Sequence, residues 1–183
     1  MNFQAYQNRI NSSFSRSKAS CIPGIISDNA NAEAKKILRS MMSNGNKRIN
    51  KVTVIDPYFD EPDLVTVASY FGGLSTISLE IVSKFDAIKS ELTKEERKSS
   101  LATKAIFYTS NALFKNIEFC HSKIQMHDRY VIYWTDKIVT AIVIIGGSFS
   151  QKFDDHIMIY EVEDKYFETC VLKYYYKVIS DVI

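Results

Sequence analysis

The sequence has few cysteines, and the three that it has are far apart. Cys21, Cys120 and Cys170 are odd in number, and their spacing fits neither a disulfide framework nor a zinc knuckle. We therefore expect reduced thiols in a cytoplasmic protein.

Long apolar runs are also lacking. Residues 1–18 are polar and rich in Asn, Ser and Gln, without the apolar stretch that a signal peptide or a transmembrane helix requires. The longest apolar run, Ile138 to Ile145, is interrupted by Thr140 and has the length of a strand. No segment has the amphipathic or apolar character that a membrane partner or lipid substrate would favour.

The chain carries little net charge, +2 with a pI near 8.3, so its overall balance does not demand a polyanionic partner. A local basic stretch could follow a nucleic-acid backbone, or it could be an ordinary solvated surface. Its residues are Lys35, Lys36, Arg39, Lys47, Arg48 and Lys51. With 183 residues, 46% of them hydrophobic, the chain can bury about two-thirds of its unfolded surface without disulfides or metals. We expect one domain over residues 1–183.

The first half of the chain alternates between strand and helix patterns. Residues 1–30 predict an irregular or short-strand lead-in, and Asn31 is expected to cap a helix that Gly45 closes. A β-branched run, Lys51 to Ile55, stops at Asp56-Pro57 and is followed by a helix through Phe71. The next elements are predicted as a strand over Thr76–Val82, a helical stretch over residues 84–104 and a strand over Ala105–Tyr108.

The second half is dominated by strands, followed by one helix. Strands are expected over Ile117–Cys120, Met126–Trp134, Ile138–Ile145 and His156–Val162, with Asp136-Lys137 as a tight turn. From Asp164 a closing helix has an apolar face made of Phe167, Cys170, Val171, Tyr174 and Val178. These patterns predict an α/β fold, with a mixed sheet flanked by helices on both faces.

Candidate site residues follow from the period of a strand. If Met126–Trp134 is a strand, His127 and Arg129 project from one face while Asp128 points away. The next strand runs into Gly146-Gly147-Ser148-Phe149-Ser150, where glycines permit a close turn and two hydroxyls share a face. A hairpin would make the two groups neighbours at one end of the sheet.

These residues resemble the phospholipase D superfamily, whose pattern is His-x-Lys-x4-Asp followed by Gly-Ser-x-Asn at the end of the next strand. Here the matching residues are His127-Asp128-Arg129 and Gly147-Ser148-Phe149-Ser150. The likeness extends from about residue 31 to residue 180 and includes the Ile55–Phe59 strand end. It implies an α/β/α sandwich and a hydrolase that needs no metal or cofactor.

The resemblance also implies roles for residues. His127 would be the nucleophile that forms a phosphohistidine, or the general acid in a second copy, while Arg129, Ser148 and Ser150 would stabilise charge on the phosphoryl oxygens. One carboxylate would orient the histidine, with Asp154 or Asp155 as the nearest fits and Glu161 as a more distant one. Because the chain has one such motif and the mechanism needs two histidines, the resemblance implies a homodimer with a shared site.

The chain departs from the family pattern at three positions. Arg129 replaces the lysine, Trp134 occupies the aspartate position with Asp136 two residues further on, and Ser150 replaces the asparagine. Two hypotheses follow: a metal-independent phosphodiesterase, in particular a nuclease acting on DNA or RNA, or a catalytically degenerate module that binds nucleic acid or a protein partner. Membership of a larger complex is left open.

Other residues have weaker functional interpretations. Asp56 and Tyr58 lie at the carboxyl end of a strand, where open α/β sheets commonly bind ligands, although Asp56-Pro57 is equally typical of a strand stop. A metal site made by His121, His127 and His156 is rejected, because carboxylate and thiol partners at suitable spacing are missing. In Tyr174-Tyr175-Tyr176 we expect Tyr174 in the core and the other two at an edge or interface, with stacking of nucleic-acid bases as the weaker alternative.

Overall fold

The computed structural model describes residues 19–21, 27–43, 48–73, 75–85, 92–122, 124–146, 149 and 158–180. Within these ranges the chain forms one seven-stranded sheet and four helices. In chain order the elements are β1 (Ala19–Cys21), α1 (Ser27–Met42), β2 (Lys51–Ile55), α2 (Glu61–Phe71), β3 (Ser78–Ser83), α3 (Lys94–Ser110), β4 (Asn116–His121), β5 (Arg129–Thr135), β6 (Ile138–Ile145), β7 (Met158–Glu161) and α4 (Lys165–Ser180).

The sheet is mixed, with the strand order β1-β7-β6-β5-β2-β3-β4. The strands β2, β3 and β4 are parallel, whereas β5, β6, β7 and β1 join through antiparallel pairs. The two βαβ connections step in the same direction across the sheet, so their helices α2 and α3 are expected on one face. The strand β2 lies in the interior of the sheet between β3 and β5, and its end meets the start of β5.

Helices cover both faces of this sheet, so the predicted α/β class with a mixed, doubly covered sheet is confirmed. On the first face α1, α2 and α3 pack against alternate strand residues, including Ala34, Leu38, Leu64, Phe71, Leu101, Val52, Val54, Ile81, Val131 and Tyr133. On the second face α4 packs against the intervening ones, including Val171, Tyr175, Val178, Ile55, Val82, Ile132, Trp134 and Ile142. Because both faces are covered, the central strands read as nearly continuous apolar runs.

The predicted strand over Ala105–Tyr108 is wrong, since these residues form the end of α3. Thr93 caps that helix and forms a reciprocal capping box with Glu96, and the helix then continues to Ser110. Within the predicted strand, Ala105 and Tyr108 are buried while the two residues between them, Ile106 and Phe107, are largely exposed. The short apolar run was therefore one helical turn with two solvent-facing apolar residues.

Several predicted boundaries also shift. The helix α1 begins at Ser27 rather than after Asn31, because the apolar face beginning at Ala34 does not mark the polar first turn. Gly45 lies outside the described residues. The strand predicted over Thr76–Val82 is Ser78–Ser83, and within the predicted lead-in of residues 1–30 the short strand β1 pairs with β7.

The closing helix α4 turns a different face to the sheet from the predicted one. Val171, Tyr175 and Val178 are its buried residues, while Phe167 and Cys170 are exposed. Tyr174 is only partly buried, and Tyr175 rather than Tyr174 belongs to the core. Asp164 precedes the helix and accepts a hydrogen bond from the Phe167 amide, as a helix-capping aspartate does.

Candidate functional site

A buried ion pair lies where β2 ends and β5 begins. Ile55 is paired with Tyr130 across the two strands, so the next residue along β2, Asp56, lies beside Arg129. Arg129 Nε donates to Asp56 Oδ2 over 3.0 Å, and the backbone N–H of Tyr58 donates to Asp56 Oδ1 over 2.9 Å. The Asp56 side chain is fully buried, whereas that of Arg129 is 19% exposed. The carboxylate thus lies behind the guanidinium and fixes its direction.

The electrostatics of Asp56 are dominated by its burial. Desolvation raises the pKa of the Asp56 carboxyl above its ordinary value of 3.8, and the nearby charge of Arg129 offsets this rise only in part. Because Nε is engaged with Asp56, the Nη1–Nη2 edge of the planar guanidinium faces away from the carboxylate. Among the described residues, Asp56 is the one hydrogen-bond partner of the Arg129 side chain. That outer edge has the geometry that binds phosphate through two parallel hydrogen bonds.

The loop after β2 is held in place by a serine that sequence reasoning missed. The Ser83 hydroxyl at the end of β3 accepts hydrogen bonds from the amides of Phe59 and Phe85 and donates to the carbonyl of Pro57. Ser83 is completely buried. A serine directly after the apolar pair Ile81-Val82 was the available signal. By fixing residues 57–59, Ser83 stabilises the turn that brings the Tyr58 amide to Asp56; the Tyr58 side chain itself is half-buried.

His127 lies beside this pair in the chain but not in the strand. The prediction of a strand from Met126 is wrong, because β5 begins at Arg129, and His127 belongs to the exposed segment before it. Strand alternation therefore does not place His127 and Arg129 on one face of the sheet. Met126 is buried and anchors this segment, and His127 follows it at the same edge of the sheet as Arg129.

The predicted hairpin between the two motif strands is confirmed. β5 and β6 are antiparallel and joined by Asp136-Lys137, and Arg129 is paired with Ile145, the last residue of β6. The chain beyond Ile145 therefore starts at the edge that carries Arg129. Five candidate residues of that region lie outside the described residues: Gly147, Ser148, Ser150, Asp154 and Asp155. Phe149 is described; it is buried, with its ring 6.4 Å from that of Tyr70.

A second polar cluster, around Glu80, was not predicted. Glu80 on β3 accepts hydrogen bonds from Lys51 at 2.9 Å, Thr53 at 2.7 Å and Tyr175 at 2.9 Å. Trp134 Nε1 also donates to the Thr53 hydroxyl. Burial, followed by the charge of Glu80, raises the pKa of Tyr175. The cluster adjoins a cleft of about 300 Å³ at the amino ends of β2 and β3. Its saturated hydrogen bonds tie α4 to the sheet, on the opposite edge from Arg129.

The remaining histidine and basic candidates are dispersed. His121 lies 3.2 Å from Lys94 Nζ and stacks on Phe85, while His156 lies outside the described residues. Within the described ranges, no group of three or more His, Cys, Asp or Glu side chains is placed to hold a metal ion. In the basic stretch Lys36, Arg39 and Arg48 are exposed, Lys35 is half-buried, Lys51 is paired with Glu80, and Lys47 is not among the described residues.

Comparisons with known proteins give little further information. No protein-family profile matches the chain, and no curated protein matches it. The similar solved structures include that of TrmBL2, an archaeal chromatin protein described as showing a novel mode of DNA binding, with a TM-score of 0.41 and 11% identity over 99% of this chain and 68% of the other. A likeness of that size supports no conclusion about function. In the described parts of the chain, no helix has the length and apolarity needed to cross a membrane.

Proposed function

We propose that this chain binds a phosphodiester of a nucleic acid at the edge where β2 ends and β5 begins, and hydrolyses it without a metal. The supporting observation is the orientation of Arg129: a fully buried carboxylate holds its Nε, and its other edge points away from that carboxylate. An arginine held in this way loses little conformational freedom when an anion binds. The exposed imidazole of His127 lies two residues earlier in the chain.

The hydrolysis follows the phospholipase D type and needs two copies of the chain. An imidazole nitrogen of His127 attacks phosphorus, the bond to the leaving oxygen breaks, and His127 of the second copy donates a proton to that oxygen. Water then attacks the phosphohistidine, gives its proton to the same second histidine and releases free imidazole. Arg129 stabilises the negative charge on the phosphoryl oxygens throughout. The homodimer is part of this proposal.

Cleavage of single-stranded DNA and RNA in excess EDTA tests the enzymatic proposal. We expect cleavage to persist with the chelator and to fall by about 1000-fold or more in His127→Ala, which removes the attacking atom. Lys137→Ala, which removes an exposed cation from the opposite edge of the sheet, is the matched control and should cleave normally. Cleavage that stops in EDTA, or that survives His127→Ala, would reject this mechanism.

A second candidate function is binding without turnover, and the Asp56–Arg129 pair favours it. The carboxylate lies 3.0 Å from the guanidinium and so offsets part of the positive charge that would stabilise a doubly charged transition state. If the chain has lost catalysis through Arg129 and Ser150, which replace the lysine and the asparagine of the family pattern, the wild type binds oligonucleotides but does not cleave them. Arg129→Lys combined with Ser150→Asn should then create activity, and an active wild type contradicts this candidate.

A further inference from the structure

A cluster of one carboxylate and two tyrosines adjoins the start of β5 on the side away from Arg129. Tyr130 donates a hydrogen bond from its hydroxyl to Asp128 Oδ2 over 3.3 Å, and its ring centroid lies 6.1 Å from that of Tyr174 on α4. Asp128 is exposed, Tyr174 is partly buried and Tyr130 is 7% exposed. Burial raises the pKa of Tyr174, and the charge of Asp128 raises it further, so the carboxylate and this ring are within electrostatic reach.

The position of this cluster follows from strand alternation. Tyr130 packs on the second face of the sheet, so its neighbour Arg129 projects to the first face, where Asp56 holds it. Asp128 and Arg129 are consecutive residues with Cα atoms about 3.8 Å apart. A ligand at the start of β5 can therefore contact the guanidinium on one side and the carboxylate on the other. A single nucleotide, with its phosphate and base at opposite ends, has that shape.

The chemistry of the cluster suits a base rather than a phosphate. An exposed carboxylate beside an anion site repels phosphate, but it accepts hydrogen bonds from the amino groups of bases, as aspartate and glutamate do with cytosine N4. The bond from Tyr130 occupies one oxygen of Asp128 and orients the other. Tyrosine rings provide faces on which unpaired bases stack.

We infer that Asp128, Tyr130 and Tyr174 form a nucleobase subsite that prefers an amino-bearing base such as cytosine over thymine. Thymine presents its single N–H between two carbonyl oxygens, and a carboxylate repels both of these oxygens. This inference rests on the proposed function, because the phosphate of the same nucleotide is bound by Arg129. It narrows the substrate to single-stranded nucleic acid, since a base within a duplex is stacked on its neighbours and its faces cannot contact Tyr174.

The test compares the affinities of 12-nucleotide oligo-dC and oligo-dT at pH 7.5 by fluorescence anisotropy, using the full chain with His127→Ala present in every protein, so that the oligonucleotides are bound but not cleaved. The two ligands have the same backbone charge, so the ratio of their dissociation constants isolates recognition of the base. We expect oligo-dC to bind about fivefold or more tightly than oligo-dT, the lower end of what a specific base contact contributes. In Asp128→Asn, whose amide can donate as well as accept, the ratio should fall towards one.

Three further variants test the stacking surface and the charge. Tyr174→Leu should weaken binding of both oligonucleotides about fivefold, whereas Tyr174→Phe, which keeps the ring, should bind as the wild type does. Glu163→Gln, which removes an exposed carboxylate near the start of α4, is the charge control for Asp128→Asn and should keep the wild-type ratio.

The outcomes separate this inference from the function on which it rests. A wild-type ratio near one, with binding that is lost in Arg129→Ala, would overturn the base subsite and leave the phosphodiester site intact. A high ratio that Asp128→Asn does not change would also overturn it. Failure of the wild type to bind either oligonucleotide would reject both the subsite and the proposed function.

Discussion

Asp56 is fully buried, and its carboxylate is held by one arginine and one backbone amide. The raised pKa of this carboxyl means that burying its charge costs more than Arg129 returns. A residue kept under those conditions is better explained by what it orients than by what it stabilises. At the scale of single residues, Asp56 fixes the position of Arg129 at the expense of stability, which is common where function and stability conflict.

Replacement of Asp56 by Asn tests that interpretation. The amide keeps the shape and an acceptor for Arg129 Nε and removes the buried charge, although it loses the hydrogen bond from the Tyr58 amide, and Arg129 keeps some contact with water. We expect the free energy of unfolding at pH 7, measured in urea, to stay within about 1 kcal/mol of wild type or to exceed it. Oligonucleotide affinity should fall about tenfold, because the guanidinium is less firmly held. A loss of about 3–5 kcal/mol would instead identify the pair as structural.

The same variant makes a prediction about pH. In the unfolded chain the Asp56 carboxyl ionises near 3.8, and in the folded chain it ionises at a higher pH. The folded state therefore holds the proton more tightly, and this residue's contribution to stability is lost as the pH rises from 3.8 through the folded pKa. As the pH rises across that range, the free energy of unfolding in urea should increase for Asp56→Asn relative to wild type. A difference that moves the other way would contradict the raised pKa.

The sequence was informative about which residue types lie near the site and uninformative about their partners. The spacing of His127 and Arg129 and the stop at Asp56-Pro57 could each be identified locally. The ion pair joins residues 73 positions apart and depends on β5 lying beside β2, which no local pattern specifies. His127 was wrongly placed inside β5 for a related reason. A polar residue just before a strand fits the alternating pattern of polar and apolar residues as well as one inside the strand does.

Among the elements, the β5–β6 hairpin is positioned by an asparagine that precedes β2. Asn50 Nδ2 donates to Asp136 Oδ1 over 2.7 Å, and the Asp136 amide donates to Asn50 Oδ1 over 2.9 Å. Asp136 has a positive φ of 57°, a conformation that aspartate and asparagine tolerate better than most residues. This reciprocal pair fixes the turn against the neighbouring strand, and with it the register that brings Arg129 opposite Ile145.

Asn50→Ala removes both side-chain bonds to the turn. We expect the free energy of unfolding to fall by about 1–2 kcal/mol, because two hydrogen bonds at a partly exposed site are lost. Asp136→Asn retains an acceptor and the tolerance for positive φ, and it should stay within about 0.5 kcal/mol of wild type. Chemical denaturation of the two variants side by side measures this. Equal stability of Asn50→Ala and wild type would show that the turn does not depend on the asparagine.

Elements with strong local signals were predicted well and those with ambiguous signals were not. The bounds of β2 and β6 were given correctly by β-branched runs that end in a turn. The end of α3 was mistaken for a strand because Ile106 and Phe107 are apolar yet exposed. Their apolar character therefore did not indicate burial. Short apolar runs of this kind fit either structure until the neighbouring elements are known.

At the scale of the whole molecule, the α/β class followed from the order of the patterns, but the strand order did not. Alternating strands and helices predict parallel pairs, and a two-residue turn predicts a hairpin. Neither indicates that β5 docks beside β2, or that β7 returns to pair with both β6 and β1. The docking of β5 creates the edge at which β2, β5 and β6 present Asp56, Arg129 and the chain beyond Ile145 together.

The central claim is that Arg129, oriented by Asp56, contacts a phosphate, and the salt dependence of oligonucleotide binding tests it most directly. Dissociation constants of wild type, Arg129→Ala and Lys137→Ala for one single-stranded oligonucleotide are measured between 50 and 200 mM salt. Loss of one phosphate contact should weaken binding and reduce the slope of log affinity against log salt by about 0.7 in Arg129→Ala, with Lys137→Ala unchanged. Wild-type affinity and slope in Arg129→Ala would contradict the account.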